Sequence, residues 1–315
     1  MTDAPIASEQ DLHDVVCAIV ARHAGSEPAR VAPQGGGLSS HAFEASTEHD
    51  RYIVRLGQES DKLQGFERER RAVERARAAG IPVQDIIGLG LERTWAYTIA
   101  HRLPGVPATD HPARTRVLEE LGRIAAIIHT IPTAGYGPQF SWVGRSEDGE
   151  TNVTSSWSAY LHEELHAHHR LGVLHANGML TDRQHDALRS TLHDVARWTD
   201  APVLNHGDLR LKNVMVDHEA RIVGVIDWEV AVSSIGPHWD ISLALHDLGV
   251  DAKQSFLEGY GMPEADVRAG APVWRLFNTL NYAPLLEAML AQRDNAAVDR
   301  LRTRLLGALD LYSVG

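Results

Sequence analysis

The spacing of apolar and polar positions changes about a third of the way along this 315-residue chain. Before that point, short runs rich in β-branched and apolar residues predict strands at His41 to Ser46 and Arg51 to Leu56 (RYIVRL). A turn of glycine and serine, Gly35-Gly36-Gly37-Leu38-Ser39-Ser40, precedes the first of them. Phe66 to Ala79 reads as a helix, the one expected in the first hundred residues, and Gly80-Ile81-Pro82 stops it. A further strand pair runs through Ile86 to Leu91 and Ala96 to Ala100, ahead of the turn at Pro104-Gly105. After this the pattern is helical. Arg114 to Thr130 carries Val117, Leu118, Leu121, Ile124, Ala125 and Ile128 at helical spacing. Ser156 to Leu174, Thr181 to Trp198, Asp240 to Asp247, Gln254 to Gly259, Trp274 to Gln292 and Ala297 to Leu311 predict further helices. Residues 132–152 read as a long surface loop. One hairpin interrupts the helices: Val214 to Val216, a turn over Asp217 to Ala220, then Arg221 to Ile226. No internal repeat or low-complexity tract is visible.

Composition narrows the function classes. With 43% hydrophobic residues, the chain can bury a sizeable core as one large domain or two lobes. Thirty Lys+Arg against 42 Asp+Glu give a formal charge of −12, which argues against a nucleic-acid binder. A single cysteine, Cys17, excludes an intramolecular disulfide and a Cys-based zinc site. No apolar run has the length of a membrane span, and Met1 to Gln10 lacks the pattern of a secretory signal. The expectation is a cytoplasmic protein with no nucleic-acid or membrane partner. Only three lysines occur, Lys62, Lys212 and Lys253, so a catalytic lysine would have three candidates.

The chemistry concentrates in Asn205 to Glu229, NHGDLRLKNVMVDHEARIVGVIDWE. Asn213 precedes the first strand of the predicted hairpin and Asp227 follows the second, so the hairpin should bring them to one end. An amide oxygen and a carboxylate so placed suit a hard cation, Mg²⁺. Asp208, five residues before Asn213, can reach the same cavity without being a ligand. One carboxylate to position a hydroxyl and an Asp/Asn pair to hold magnesium are the parts phosphoryl transfer needs. The pattern H-x-D-x-x-x-x-N is specific, with about 0.03 chance occurrences expected in a chain of this composition. In the predicted helix after RYIVRL, Glu69 falls on the apolar stripe of Phe66, Ala72, Val73, Ala76 and Ala79. A carboxylate on a core-facing stripe needs a partner, and Arg55 is the nearest candidate.

HGDLRLKN followed by VIDWE resembles the catalytic and metal-binding segments of the aminoglycoside phosphotransferase and choline kinase-like family, relatives of the protein kinases. The resemblance extends from about Val31 to Leu245. It implies an α+β, bilobal, protein kinase-like fold: a small, mostly β N-lobe with one key helix (1–101) and a larger, mostly helical C-lobe (102–315). It implies transfer from ATP or GTP to a hydroxyl of a small molecule. Asp208 would then be the catalytic carboxylate, Asn213 and Asp227 the Mg²⁺ ligands, His206 a brace for the loop and Asp240 a buried anchor beneath it. Arg55 would bind nucleotide phosphates and pair with Glu69, standing where the family carries lysine or arginine. Gly35, Gly36, Gly37 and Ser39 would form the phosphate-approaching turn. Backbone groups near His101 and Leu103 would meet the base.

Arg210 and Lys212 depart from the commonest motif, which has small or neutral residues there. A cation two residues past the catalytic carboxylate can stabilise transition-state charge, so Arg210 is a second catalytic candidate, alongside the alternative of a solvated loop cation. Glu229 is a candidate for a role beside the metal. The segment His162-Glu163-Glu164-Leu165-His166 matches the zinc-protease pattern H-E-x-x-H, with His168 and His169 nearby. It has no third ligand at the usual spacing, and a histidine-rich helix face is the simpler reading. A non-catalytic nucleotide-binding relative would be marked by loss of motif residues, yet Asp208, Asn213 and Asp227 are all present. The charge is −3 up to Pro104 and −9 after it, which favours a cationic acceptor such as an aminoglycoside or another basic antibiotic. Glu163, Glu164, Glu287, Trp274 and Tyr282 are its candidate contacts. A metabolite kinase for choline, a sugar or an amino alcohol is the alternative.

Overall fold

The computed structural model describes residues 9–35, 41–58, 62–143, 153–246 and 248–311. It divides into two compact units, residues 1–105 with 223–229, and residues 106–222 with 230–315.

The first unit is built on an antiparallel sheet. Its elements are α1 (Glu9–Ala24), β1 (Arg30–Gln34), β2 (His41–Ser46), β3 (Arg51–Gly57), α2 (Lys62–Ala78), β4 (Ile86–Glu92) and β5 (Trp95–His101), and the strand order is β1-β2-β3-β5-β4. Alternation along β3 sends Tyr52, Val54 and Leu56 to one face, where they meet Leu12, Val15, Val16, Ile19 and Val20 of α1. Arg51, Ile53 and Arg55 therefore point to the opposite face. The first hundred residues thus hold two helices rather than the one expected, α1 burying an i, i+3, i+4, i+7 stripe against the sheet. Helix α2 buries Lys62, Phe66, Glu69, Ala72, Val73 and Ala76, and begins four residues earlier than its apolar pattern suggests. Val225 joins this unit through its N–H, which donates to the Pro82 carbonyl at 2.9 Å. The Trp228 indole, wholly buried, donates to the Val225 carbonyl and locks the turn that carries Asp227 and Glu229.

The second unit comprises β6 (Val106–Pro107), α3 (Arg114–Ile128), β7 (Thr133–Ala134), β8 (Ser141–Trp142), α4 (Trp157–Ala159), α5 (Ala167–Ala176), α6 (Asp182–Val195), β9 (Pro202–Asn205), β10 (Val214–Val216), β11 (Ile222–Val225), β12 (Val232–Ile235), α7 (His238–Ala244), α8 (Val250–Tyr260), α9 (Glu264–Leu280), α10 (Tyr282–Ala291) and α11 (Asn295–Leu311); the division between units passes through β11. The core joins α4–α6 to α9–α11 through Trp157, Leu171, Leu188, Leu192, Phe277 and Leu305. Two predicted helices are interrupted. The segment from Ser156 becomes α4, then a π turn over Tyr160–Glu164 in which the Leu165 N–H donates to the Tyr160 carbonyl. His166, at φ 51°, breaks the path before α5. The long helix expected from Trp274 divides at Asn281, because Pro284 has no N–H to continue the ladder and sits instead in the first turn of α10. Residues 132–143 are not all surface loop: Thr133 and Trp142 pair across β7 and β8 and are buried. Strands β9 and β12, absent from the sequence reading, pair Asn205 with Val232 and form the floor beneath the HGD segment. Among the described residues no helix is long and apolar enough to cross a membrane.

One buried group makes stability pH-dependent. His238 Nδ1 accepts a hydrogen bond from the Trp274 indole at 3.0 Å, and burial, reinforced by the charge of His129, pushes its pKa down to about 4. The unfolded chain takes up this proton near pH 6.5 and the folded one resists it, so stability is complete above about pH 6.5 and is lost toward pH 4. Urea unfolding between about pH 7 and pH 4.5 should show the parent losing up to about 3 kcal/mol more than His238→Gln, which keeps an acceptor for Trp274. Identical pH slopes for the two proteins would exclude His238 as the source.

Candidate active site

In the first unit the side chains facing away from α1 build a charged cluster. Arg55 Nη1 donates to both oxygens of Glu69, at 2.8 and 2.7 Å, and Nη2 donates to Glu229 Oε2. Asp227 Oδ1 lies 3.9 Å from the same Nη2. Gln84 Nε2 donates to Glu69 Oε1 at 3.1 Å, and Lys62 Nζ donates to Glu229 Oε1. Glu69 is wholly buried, and burial pushes its carboxyl pKa up while Arg55 pulls it back. Burial disfavours the Arg55 charge, but Glu69, Glu229 and Asp227 outweigh it and raise its pKa, so the guanidinium stays protonated. Asp227 has φ 68°, a left-handed conformation uncommon outside glycine, and its side chain is 44% exposed.

In the second unit the HGD segment is folded onto a buried carboxylate. Asp240 Oδ2 accepts from the His206 N–H at 2.6 Å and Oδ1 from the Gly207 N–H at 2.8 Å. His129 Nε2 sits 3.3 Å from Asp240 Oδ2, and its Nδ1 lies 3.1 Å from the Tyr260 hydroxyl. The Asp240 N–H donates in turn to Asn205 Oδ1. His206 accepts the Asp208 N–H at Nδ1, 3.2 Å away, which fixes the turn between them. Gly207 has φ 86°, and a Cβ there would fall 1.9 Å from the Val230 carbonyl, so only glycine fits.

Asp208 then projects among donors. Arg210 Nε donates to its Oδ1; Lys212 Nζ lies 2.8 Å and Asn213 Nδ2 3.1 Å from its Oδ2. Burial alone would raise the Asp208 pKa, but the hydrogen bonds and charges of Arg210 and Lys212 prevail and hold it below the usual aspartate value. Asn213 is 5% exposed and spends its Nδ2 on the Asp208 carbonyl and carboxylate. That turns the amide oxygen away from both, and among the described residues no donor reaches it. An oxygen ligand for a hard cation is thereby presented.

The structure thus gathers Arg55, Glu69 and Asp227 in one unit, and His206, Asp208, Arg210, Asn213 and Asp240 in the other. Gly35 ends the described part of the β1–β2 connection; Gly36, Gly37 and Ser39 lie outside the described residues. The His101 N–H is committed to the Asp85 carbonyl and the Arg102 N–H to that of Arg51, whereas the Leu103 N–H makes no hydrogen bond among the described residues. Trp274 and Tyr282, candidate acceptor contacts by region, are 1% and 4% exposed and belong to the core. His162 lies in the π turn and His166 beyond it, so the H-E-x-x-H histidines do not share a regular α-helical turn. His162 stacks on His168 instead, 4.9 Å between centroids. Among the described residues no group of three or more His, Cys, Asp and Glu is arranged to hold a metal ion.

A model of the phosphotransferase enzyme family matches residues 30–277. The chain belongs to this family. The phosphotransferase uses an alcohol group as acceptor, as a kinase does. It is 25% identical over 229 residues to the aminoglycoside 3'-phosphotransferase of Streptomyces fradiae, covering 67% of this chain and 74% of the relative. Its fold matches the crystal structure of aminoglycoside phosphotransferase APH(4)-Ia, with TM-score 0.68 and 19% identity over 96% of this chain and all of that one. Spectinomycin phosphotransferase APH(9)-Ia, solved with ADP and spectinomycin, matches with TM-score 0.66 and 15% identity over 99% of each chain. The phosphotransferase therefore has the α+β, kinase-like fold of these enzymes, with a β-rich N-terminal and a helical C-terminal region.

Lys62 and Lys212 are among the participants that the sequence reading does not single out. Lys62 enters it only as one of three lysines, and Lys212 as another of the three and as a departure from the commonest motif. A signal for the first existed: Lys62, Phe66 and Glu69 are spaced by four and three, along one helix stripe.

Proposed function

We propose that the protein transfers the γ-phosphoryl group of ATP or GTP, with Mg²⁺, to a hydroxyl of an aminoglycoside or another basic antibiotic. The observation that carries this reading is the Asp208–Asn213 arrangement, in which one amide both braces the carboxylate and offers its own oxygen outward. Asn213 and Asp227 would supply the Mg²⁺ ligands, and the ion, when bound, would neutralise charge on the nucleotide phosphates. Arg55, held by Glu69, would meet those phosphates, with residues 1–101 taking the nucleotide and 102–315 the acceptor. Asp208 orients the acceptor hydroxyl and accepts its proton. Because its pKa is lowered, its contribution rests on orientation and charge more than on basicity. Arg210 neutralises Asp208 in the free protein and would turn to the transferring group when the phosphates arrive. Such an enzyme works in the cytoplasm, where its nucleotide is.

The relative from Streptomyces fradiae and the net charge of −9 after Pro104 both support a cationic acceptor. A similar fold in a putative fructosamine-3-kinase from Haemophilus somnus, TM-score 0.63 at 15% identity, supports the second reading, a metabolite kinase. A panel of aminoglycosides, other antibiotics, choline, sugars and amino alcohols should be incubated with ATP or GTP and Mg²⁺, and products followed by mass. A basic antibiotic should gain one phosphoryl group, with an acceptor KM that rises steeply with ionic strength. Turnover confined to the metabolites would establish the second reading, and a KM flat in salt would exclude a polycationic acceptor.

A further inference from the structure

The charged cluster on the Arg55 face contains a lysine that the kinase reading leaves without a role. Lys62 is 5% exposed, an unusual place for an ammonium, and it is the first residue of α2, where the helix dipole disfavours a cation. Its place is nevertheless built. The stem crosses Gly57, where a Cβ would fall 2.3 Å from Lys62 Cγ. The ammonium sits 5.4 Å from the Phe66 ring centroid, a ring that the Arg55 guanidinium also covers at 5.3 Å. Its carboxylate partner is Glu229, whose second oxygen takes Arg55 Nη2.

Arg55 commits Nη1 to Glu69, so the edge of the fork left for a phosphate is Nη2 with Nε. Glu229 already occupies part of that edge. Three carboxylates, Glu69, Asp227 and Glu229, stand around one guanidinium, and Lys62 supplies the second cation. Without it, both oxygens of Glu229 are free to close on Nη2 and Nε in the bidentate geometry that carboxylates favour with arginine. We propose that Lys62 is a positioning residue for nucleotide binding, holding Glu229 so that this carboxylate yields Arg55 to the phosphates. The proposal rests on the reading of Arg55 as the phosphate-binding cation. In it Lys62 need not touch the nucleotide. Its effect passes through Glu229.

A double-mutant cycle separates this role from a direct electrostatic one. ATP affinity, measured by calorimetry without acceptor, is compared for the parent, Lys62→Met, Glu229→Gln and the double variant, with melting curves confirming the fold. Lys62→Met should weaken binding about tenfold in the parent and by less than about twofold in the Glu229→Gln background, because no carboxylate is then left to restrain. Lys62→Arg, which keeps the cation, should bind like the parent. An equal loss in both backgrounds overturns the proposal, since Lys62 would then act on the phosphates directly; so does the absence of a loss in the parent. If Lys62→Met does not fold, Glu229→Gln alone decides: ATP binding at least as tight as the parent's is expected, and binding weakened about tenfold overturns the proposal. Arg55→Ala tests the underlying reading separately, because unchanged ATP affinity in that variant removes Arg55 from the phosphates whatever Lys62 does.

Discussion

Asp208→Asn is expected to lower turnover by about 10²- to 10⁴-fold while leaving the protein folded. The carboxylate is the point at which Arg210, Lys212 and Asn213 converge, and its lowered pKa keeps it ionised at neutral pH. Asparagine preserves its volume but removes the charge and turns one acceptor into a donor facing these cations. The proton of the attacking hydroxyl then has no base. Stability should change little: the Lys212 side chain is 51% exposed and that of Arg210 33%, so both cations gain back solvation. The pH profile is a second check. A carboxylate with a depressed pKa stays ionised until the pH falls below the ordinary aspartate range, so Asp208 contributes no acid limb between about pH 5 and pH 8. Single-turnover phosphoryl transfer, beside thermal melting, measures the effect. An Asp208→Asn variant keeping more than about a tenth of parental turnover would remove this residue from the chemistry.

The site was legible in the sequence where short-range spacing alone sets geometry. Asp208 and Asn213 lie within one turn of chain, so their adjacency follows from HGDLRLKN with little help from the rest of the fold. Glu69 was legible for another reason: a carboxylate at the centre of an apolar stripe demands a cation, and the strand just before it ends in one. Lys62 shows the limit of that logic. The stripe it extends was visible, but a lysine at the start of a helix ordinarily reaches solvent, and only the return of Glu229, 167 positions later, gives it a buried partner. The same limit hid the floor of the HGD segment. Strands β9 and β12 are four residues each, and His129 closes the end of a helix whose apolar spacing gave no sign that its last turn serves Asp240. Helix α1 is different, because its stripe of Leu12, Val15, Val16, Ile19 and Val20 is visible in the sequence itself. Where helices were read too long, at Leu165 and Asn281, the breaks come from a π turn and a proline that periodicity does not register.

Asp240→Asn is expected to cost about 3–5 kcal/mol of stability and, in molecules still folded, to reduce turnover as well. No atom of Asp240 reaches solvent, and each carboxylate oxygen has its own backbone donor, from His206 and Gly207, with His129 beside the oxygen that His206 holds. An amide offers one oxygen. Whichever way it is turned, its NH₂ group meets a backbone N–H, leaving two donors opposed in a dry interior, each an unsatisfied group worth about 1–3 kcal/mol. The strain falls on the turn that can least absorb it, since Gly207 is held at φ 86° with the Val230 carbonyl against its Cα. Asp208 is the next residue, braced by His206, so loosening the turn moves the carboxylate proposed to act on the acceptor before it unfolds the unit. Two measurements separate these effects: the urea midpoint gives the stability loss, and turnover well below the melting temperature gives the positional one. His129→Leu provides the contrast, because it removes the weaker contact and leaves both backbone donors satisfied. It should destabilise less than Asp240→Asn and leave turnover closer to the parent's. If instead His129→Leu is the more damaging of the two, the turn is held by the imidazole rather than by paired backbone donors.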